Sequence, residues 1–242
     1  MLTFELYHQI SKFLLESVTS PIPKETWPKS WKTTYIKTYP RFKNIPLPKP
    51  ERLQSTLSEC LFARTSSRSF TRPASLQGLS SLLYYSVGEK DSEHGEGAGK
   101  RMYPSGGARF PLEFYLLAFK PIDTLASGVY HYNIDPHSLT HIKEITFDTE
   151  LLQKIVMYDF AHTAQFAIIT TAVFARSTPK YGERSYRFAL LEAGAAMQNF
   201  GLCAAHLNIG SVNMGGLIDD TVERLLDIDG ASESIVHSIF FG

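Results

Sequence analysis

Lys180 and Tyr181 stand side by side where a run rich in Ile, Thr and Val, residues 166–174, gives way to a long helix-forming stretch. An ammonium next to a phenol favours the ionised phenol, so such a pair can serve as a general base or acid. Packed on the helix start instead, the tyrosine would be structural and the lysine merely solvated. Arg64-Thr65-Ser66-Ser67-Arg68 sets two guanidiniums four residues apart with hydroxyls between them. Across a tight turn, Arg64, Ser66 and Arg68 converge on one point and suit a phosphate gripped in bidentate fashion. The same residues also suit a solvated helix end.

Two glycine pairs add backbone donors. Pro104-Ser105-Gly106-Gly107-Ala108-Arg109 precedes an apolar run, residues 112–119. Gly106 and Gly107 lack a Cβ, so their amides can approach a flat or anionic ligand closely. The alternative is a plain turn before a strand. Gly215 and Gly216 lie just ahead of Asp219 and Asp220, which mark a helix start. Free N–H groups there can face an anion or an electron-rich ring nitrogen, and an ordinary connection would look the same.

Other chemistries find no support. Gly99-Lys100 is not a phosphate loop, since His94 stands where the first glycine belongs and Arg101 follows. His131, His137 and His141 fall on or near a hairpin, without the spacing that gathers metal ligands, so no metal is expected. There is no Gly-x-Ser-x-Gly for a nucleophilic hydrolase. Lys+Arg and Asp+Glu are both 24, so bulk charge calls for neither nucleic acid nor an acidic membrane surface. Any anion site must come from local arginines.

These residues need elements to hold them. The chain's 242 residues, 43% hydrophobic and 20% charged, allow one substantial soluble core with an extension. Residues 1–50 read as an arm. Phe4, Leu6, Ile10, Phe13 and Leu14 are spaced for a short amphipathic helix, followed by prolines and aromatics from Pro21 to Pro50 that forbid regular helix. This arm should lie against a globular body, its own or a second subunit's. The body, residues 51–242, carries helices over about 51–64, 76–85, 149–158, 183–206 and 219–226. Strands are expected over 112–119, 129–133, 139–145, 166–174 and 235–241. Without strict βαβ alternation the class is α+β. Ala189, Ala193, Ala196 and Ala204, with Gly194 and Gly201, give the long helix a face of small residues for close packing. Cys60 and Cys203 read as free thiols of a reducing compartment. Glu5, His8 and Lys12 interrupt any signal-peptide core, and no apolar run approaches the roughly 20 residues that span a bilayer. A cytoplasmic location follows as the expectation.

Taken in order, six pieces resemble the nitroreductase-like flavoproteins, specifically the SagB/McbC-type branch with its azoline dehydrogenases of thiazole/oxazole-modified peptide pathways. They are the Arg64 and Pro104 segments, Gly128-Val129-Tyr130-His131-Tyr132, Lys180-Tyr181-Gly182-Glu183-Arg184, Leu191-Glu192-Ala193-Gly194 with Gln198-Asn199, and Gly215-Gly216. The resemblance implies a mainly antiparallel sheet flanked by helices, an FMN cofactor, and a homodimer with two sites at the subunit interface. It assigns Arg64, Ser66 and Arg68 to the FMN phosphate and ribityl chain. Pro104, Ser105, Gly106 and Gly107 would line the isoalloxazine from across the dimer, and Gly215 and Gly216 would face its N5. Gln198 and Asn199 are further cofactor candidates. Lys180 and Tyr181 match the catalytic pair of azoline oxidation, in which the tyrosine removes a ring proton while N5 takes a hydride. Ala195, Leu217 and Asn208 stand where histidine, phenylalanine and glycine are usual. The implied activity is FMN-dependent oxidation of a heterocycle in a modified peptide or related metabolite, with the arm available to a partner enzyme. An NAD(P)H-dependent nitroreductase or quinone reductase, or a non-catalytic flavin- or partner-binding protein, are the alternatives.

Overall fold

A computed structural model describes residues 2–12, 23–90 and 99–242. Phe13, Leu14, Pro21 and residues 91–98, with most of the glycine-rich tract, lie outside the described residues. Among those described, seven strands form one sheet in the order β1-β4-β3-β2-β5-β7-β6, and every neighbouring pair is antiparallel. At its centre lie β2 (Leu112–Ala118) and β5 (Phe166–Val173), buried along their whole length. Burial on both faces explains why they read as largely apolar runs instead of alternating ones, with Glu113, Thr170 and Thr171 the buried polar exceptions. Around them run β3 (Gly128–Asn133), β4 (Ser138–Glu144) and β7 (Glu233–Phe241). The edges are two three-residue strands, β1 (Asn44–Pro46) and β6 (Ser211–Asn213), too short for any periodicity to announce.

Each face of the sheet buries its own core. On one, α4 (Leu76–Val87) supplies Leu79, Leu82 and Leu83 against Ala189, Ala193, Ala196 and Phe200 of α7 (Arg184–Leu207). The small residues of α7 thus do what their pattern implies: they let α4 and the sheet come close. On the other face, α5 (Thr149–Ile155) and α8 (Asp219–Leu226) cover Tyr115, Leu117, Ile169 and Phe240 with Leu152, Ile155, Val222 and Leu226. The class is α+β. None of the described helices is long and apolar enough to cross a membrane. Cys60 and Cys203 are free thiols.

One helix is shorter than its apolar spacing suggests. α3 (Leu57–Ala63) starts six residues after Glu51 because Thr56 caps it: the Glu59 N–H donates to Thr56 Oγ1 at 3.3 Å and Glu59 Oε2 accepts from the Thr56 N–H at 2.7 Å. This reciprocal capping box leaves Leu53 outside the helix. At the far end of α7, Asn208 takes the left-handed conformation (φ 57°) that a glycine usually supplies, and its side chain accepts a hydrogen bond from Arg72.

The arm lies on its own chain. In α1 (Thr3–Ile10), the Tyr7 hydroxyl donates to the Glu183 carbonyl at 2.9 Å, and Arg187 reaches back to Ser11 Oγ at 2.8 Å. Four residues form α2 (Lys29–Lys32), which packs on α6 (Thr178–Tyr181). Further on, Lys37 pairs at 2.5 Å with Glu233, a buried carboxylate that also accepts from Tyr115 and Thr171. The arm then enters the sheet as β1.

Candidate active site

Lys180 and Tyr181 end the one-turn α6, just where the chain leaves β5 for α7. Beneath them lies Gly107, in the left-handed region at φ 62°. A Cβ on Gly107 would collide with the Tyr181 hydroxyl and fall 2.9 Å from Lys180 Nζ. The two functional groups are therefore neighbours, and both press against a position that favours glycine. The Tyr181 ring meets Phe188 edge-on at 5.0 Å. Above, Lys180 Nζ stands 4.0 Å from the Trp27 ring of the arm.

The neighbouring glycine is held from α7. Gly106 N–H donates to Glu192 Oε1 at 3.0 Å, while Ser105 Oγ accepts from the Phe110 N–H at 2.8 Å. Glu192 is 5% exposed, and its Oε2 is buried without a partner. Burial pushes its carboxyl up to about 7, against the opposing pull of the Gly106 and Ser105 hydrogen bonds and the Arg101 charge. Asn199, two turns further along α7, donates to the carbonyls of Ser86 and Met102 at 3.0 and 3.1 Å and so anchors the start of the same loop. Arg109 closes the unit. Its guanidinium is 4% exposed and binds four backbone carbonyls: Arg176 at 2.6 Å, and Trp31, Ser30 and Thr33 of the arm at 3.1, 3.0 and 2.9 Å.

A second group gathers elsewhere on α7. The stem of Arg64 crosses Gly201, where a Cβ would sit 3.3 Å from Arg64 Cδ. Arg64 lines a cavity of about 310 Å³ with Thr65, Ser67, Arg72, Asn208 and Gly242. One turn earlier on the helix, Met197 lines a second cavity of about 350 Å³ with Asn213, Gly215, Leu217, Asp219 and His237. Gly215 has open space where a side chain would be, whereas a Cβ on Gly216 would press on the Tyr158 ring at 2.5 Å. A β-bulge opposite Thr170 and Thr171 brings His237 to this cavity. Both of its ring nitrogens are buried without partners, and burial lowers its pKa to about 4.

The expected residues thus fall into two sets. Pro104 to Gly107, Lys180 and Tyr181 meet on one flank of α7, together with Asn199. Arg64, Gly215 and the exposed Gln198 lie toward another. At 3.6 residues per turn, Glu192 and Met197 point about 140° apart, so α7 separates the two sets within one chain. Ser66 and Arg68 are exposed and do not line the Arg64 cavity, where Ser67 and Arg72 stand instead. The donors fit an FMN in two parts: an arginine-and-hydroxyl cavity suits a phosphate, and open space at Gly215 beside an unpartnered imidazole suits a ring with polar edges. Glu192, Arg109, Trp27 and His237 had no assigned part in the sequence reading. The signal for Glu192 was a lone acid among Ala189, Ala193 and Ala196; nothing local marks the other three.

Residues 42–242 match the family model described as the nitroreductase family. MJ1384 of Methanocaldococcus jannaschii, named as a candidate nitroreductase, is 31% identical over 185 residues, 76% of this chain and 89% of that protein. The trifolitoxin-processing protein TfxB of Rhizobium leguminosarum bv. trifolii is 32% identical over 171 residues, 68% of this chain; the chain spans only 46% of TfxB. Among solved structures, the E. coli microcin synthetase McbBCD complex with truncated pro-MccB17 bound contains a chain that superposes with a TM-score of 0.64 at 23% identity, covering 99% of this chain and 91% of that one, a likeness of fold.

Proposed function

Because the chain belongs to the nitroreductase family, it is an oxidoreductase, and we propose that it works as the SagB/McbC-type processing proteins do, using FMN to oxidise an azoline ring to an azole in a modified peptide or related metabolite. The observation that carries this reading is the closure of Lys180 and Tyr181 on Gly107, within the loop expected to border the flavin. Converting an azoline to an azole removes one proton and one hydride. When bound, the flavin supplies the hydride acceptor. In this step Tyr181 would act as the phenolate, taking the ring proton at its oxygen and ending as the phenol, and Lys180 Nζ would offer a positive charge beside that oxygen. Arg64, with Thr65, Ser67 and Arg72, would hold the phosphate, and the Gly215 N–H would be available to the ring.

Two copies complete the site in this reading. One contributes Arg64 and Gly215, and its partner the loop at residues 104–107 with Lys180 and Tyr181, which α7 keeps apart in a single chain. Leu57, Leu61 and Phe62 of α3 and Leu191 of α7 are 67%, 51%, 89% and 70% exposed, an apolar surface suited to a second copy. A partner enzyme of a peptide-modifying pathway belongs to the same proposal, by analogy with the assembled E. coli complex. The test is direct. Purified protein incubated with FMN should show bound-flavin absorbance, and Lys180→Ala and Tyr181→Phe should keep the flavin while losing turnover of an azoline peptide. Full turnover in either variant overturns the assignment. The similarity to MJ1384 favours one second reading, NAD(P)H-dependent reduction of nitroaromatics or quinones. Rapid anaerobic bleaching of the flavin by NAD(P)H, without azoline turnover, would establish it.

A further inference from the structure

We propose that Trp27 is a positioning residue of the active site: its indole fixes the Lys180 ammonium beside the Tyr181 hydroxyl, so the arm is a working part of the catalytic centre. The inference rests on the role given to Lys180 and Tyr181 above. Lysine is a compact charge on a flexible four-carbon stem, and by itself it does not hold one position. Among the described residues, no carboxylate forms an ion pair with Lys180. What holds it is aromatic: Nζ lies 4.0 Å from the Trp27 centroid and 5.3 Å from that of Tyr181. An ammonium is drawn to the negative face of an indole, the strongest ring for this contact.

The indole is itself fixed. Trp27 meets Trp31 edge-on at 6.0 Å, and the Trp31 indole N–H donates to the Pro179 carbonyl, one residue before Lys180, at 2.7 Å. The Ser30, Trp31 and Thr33 carbonyls are gripped by Arg109, two residues after Gly107. The glycine below the pair and the tryptophan above it are thereby tied to one guanidinium. A strap that only covered apolar surface would need no aromatic face at position 27 and no ammonium against it.

Three variants separate positioning from cover: Trp27→Phe keeps a π face, Trp27→Leu keeps apolar cover without one, and Trp27→Ala removes both. The full-length, FMN-loaded protein is treated with a small amine-reactive acylating reagent, and labelling of each lysine is followed by peptide mass spectrometry. Lys180 labelling should rise about threefold or more in the Leu and Ala variants, relative to Lys120 and Lys154, and stay near wild type in the Phe variant. On an azoline peptide, kcat should fall about tenfold in the Leu and Ala variants with KM little changed. Equal Lys180 labelling in all proteins, or protection by Leu equal to that by Phe, overturns the positioning role. Labelling that responds to Trp27 while Lys180→Ala keeps full turnover would instead sink the reading of the pair, and with it the arm's part in catalysis.

Discussion

Glu192 should make the stability of this protein fall as pH rises through neutrality. The carboxyl is 5% exposed, lies under the Ser105–Gly106 backbone, and has one oxygen without a partner. Its folded-state pKa of about 7 lies above the ordinary 4.5, chiefly through burial. The folded chain therefore binds this proton more tightly than the unfolded chain does. The resulting stability is complete below pH 4.5 and is lost as pH rises through 7. The gap corresponds to about 3 kcal/mol in full, most of which disappears between pH 5 and pH 8. Glu192→Gln keeps an oxygen to accept the Gly106 N–H and carries no charge at any pH. Urea unfolding of both proteins at pH 5 and pH 8 gives the comparison. Between the two pH values the wild type should lose about 2–3 kcal/mol more than the variant. Other titrating groups, His237 included, are common to both proteins and cancel. Parallel losses would refute the argument, because they would mean that Glu192 is ionised or solvated in the folded chain.

Three further outcomes follow from the same geometry. Gly107→Ala places a methyl group against the Tyr181 hydroxyl in a left-handed conformation that costs about 1–2 kcal/mol. Its melting temperature should drop by several degrees and azoline turnover by more than tenfold; a fully active variant would remove Tyr181 from its place over the glycine. Arg109→Lys leaves a single ammonium to replace a planar fork across four carbonyls. Limited proteolysis should then cut the chain at residues 23–36 several-fold faster, and an unchanged rate would show that Arg109 does not hold the arm. His237, with its pKa lowered from 6.5 to about 4, is neutral when folded, so its stability contribution is present above 6.5 and lost as pH falls through 4. Wild type should lose about 3 kcal/mol over that range that His237→Phe does not, as read by urea unfolding.

Much of the fold was legible because each signal was local. Asp219 and Asp220 ahead of Val222 and Leu226 mark α8 with its observed bounds, and the largely apolar runs of β2 and β5 announce buried central strands. The apolar spacing of Leu53 suggests an earlier start for α3 and competes with the Thr56–Glu59 capping box that sets the true one. β1 and β6 are paired into the sheet by tertiary contact and have too few residues to show a period. In the candidate site, the short-range pieces were visible as glycines beside polar groups. Their grouping was not, since it depends on the rotation of α7 between Glu192 and Met197. The parts played by Trp27 and Arg109 were hidden more deeply. Both arise from contacts between segments about 80 or more residues apart in sequence.

The loop at residues 104–110 shows why the arm and the pair cannot be treated separately. Gly107, Ala108 and Phe110 have φ of 62°, 53° and 45°. For Ala108 and Phe110 such left-handed backbone costs about 1–2 kcal/mol each and persists only where the surroundings over-determine it. The surroundings here are the four carbonyl bonds of Arg109, with the Gly106 N–H on Glu192 and the Phe110 N–H on Ser105. Three of the four Arg109 acceptors belong to the arm. Without the arm, Arg109 would keep only the Arg176 carbonyl among these acceptors and would turn its other donors to water. Docking of the arm therefore stabilises the strained turn that puts Gly107 beneath Lys180 and Tyr181. Release of the arm would remove three of the four Arg109 bonds that hold this loop and withdraw Trp27 from Lys180, so the pair would lose support from above and below in one event.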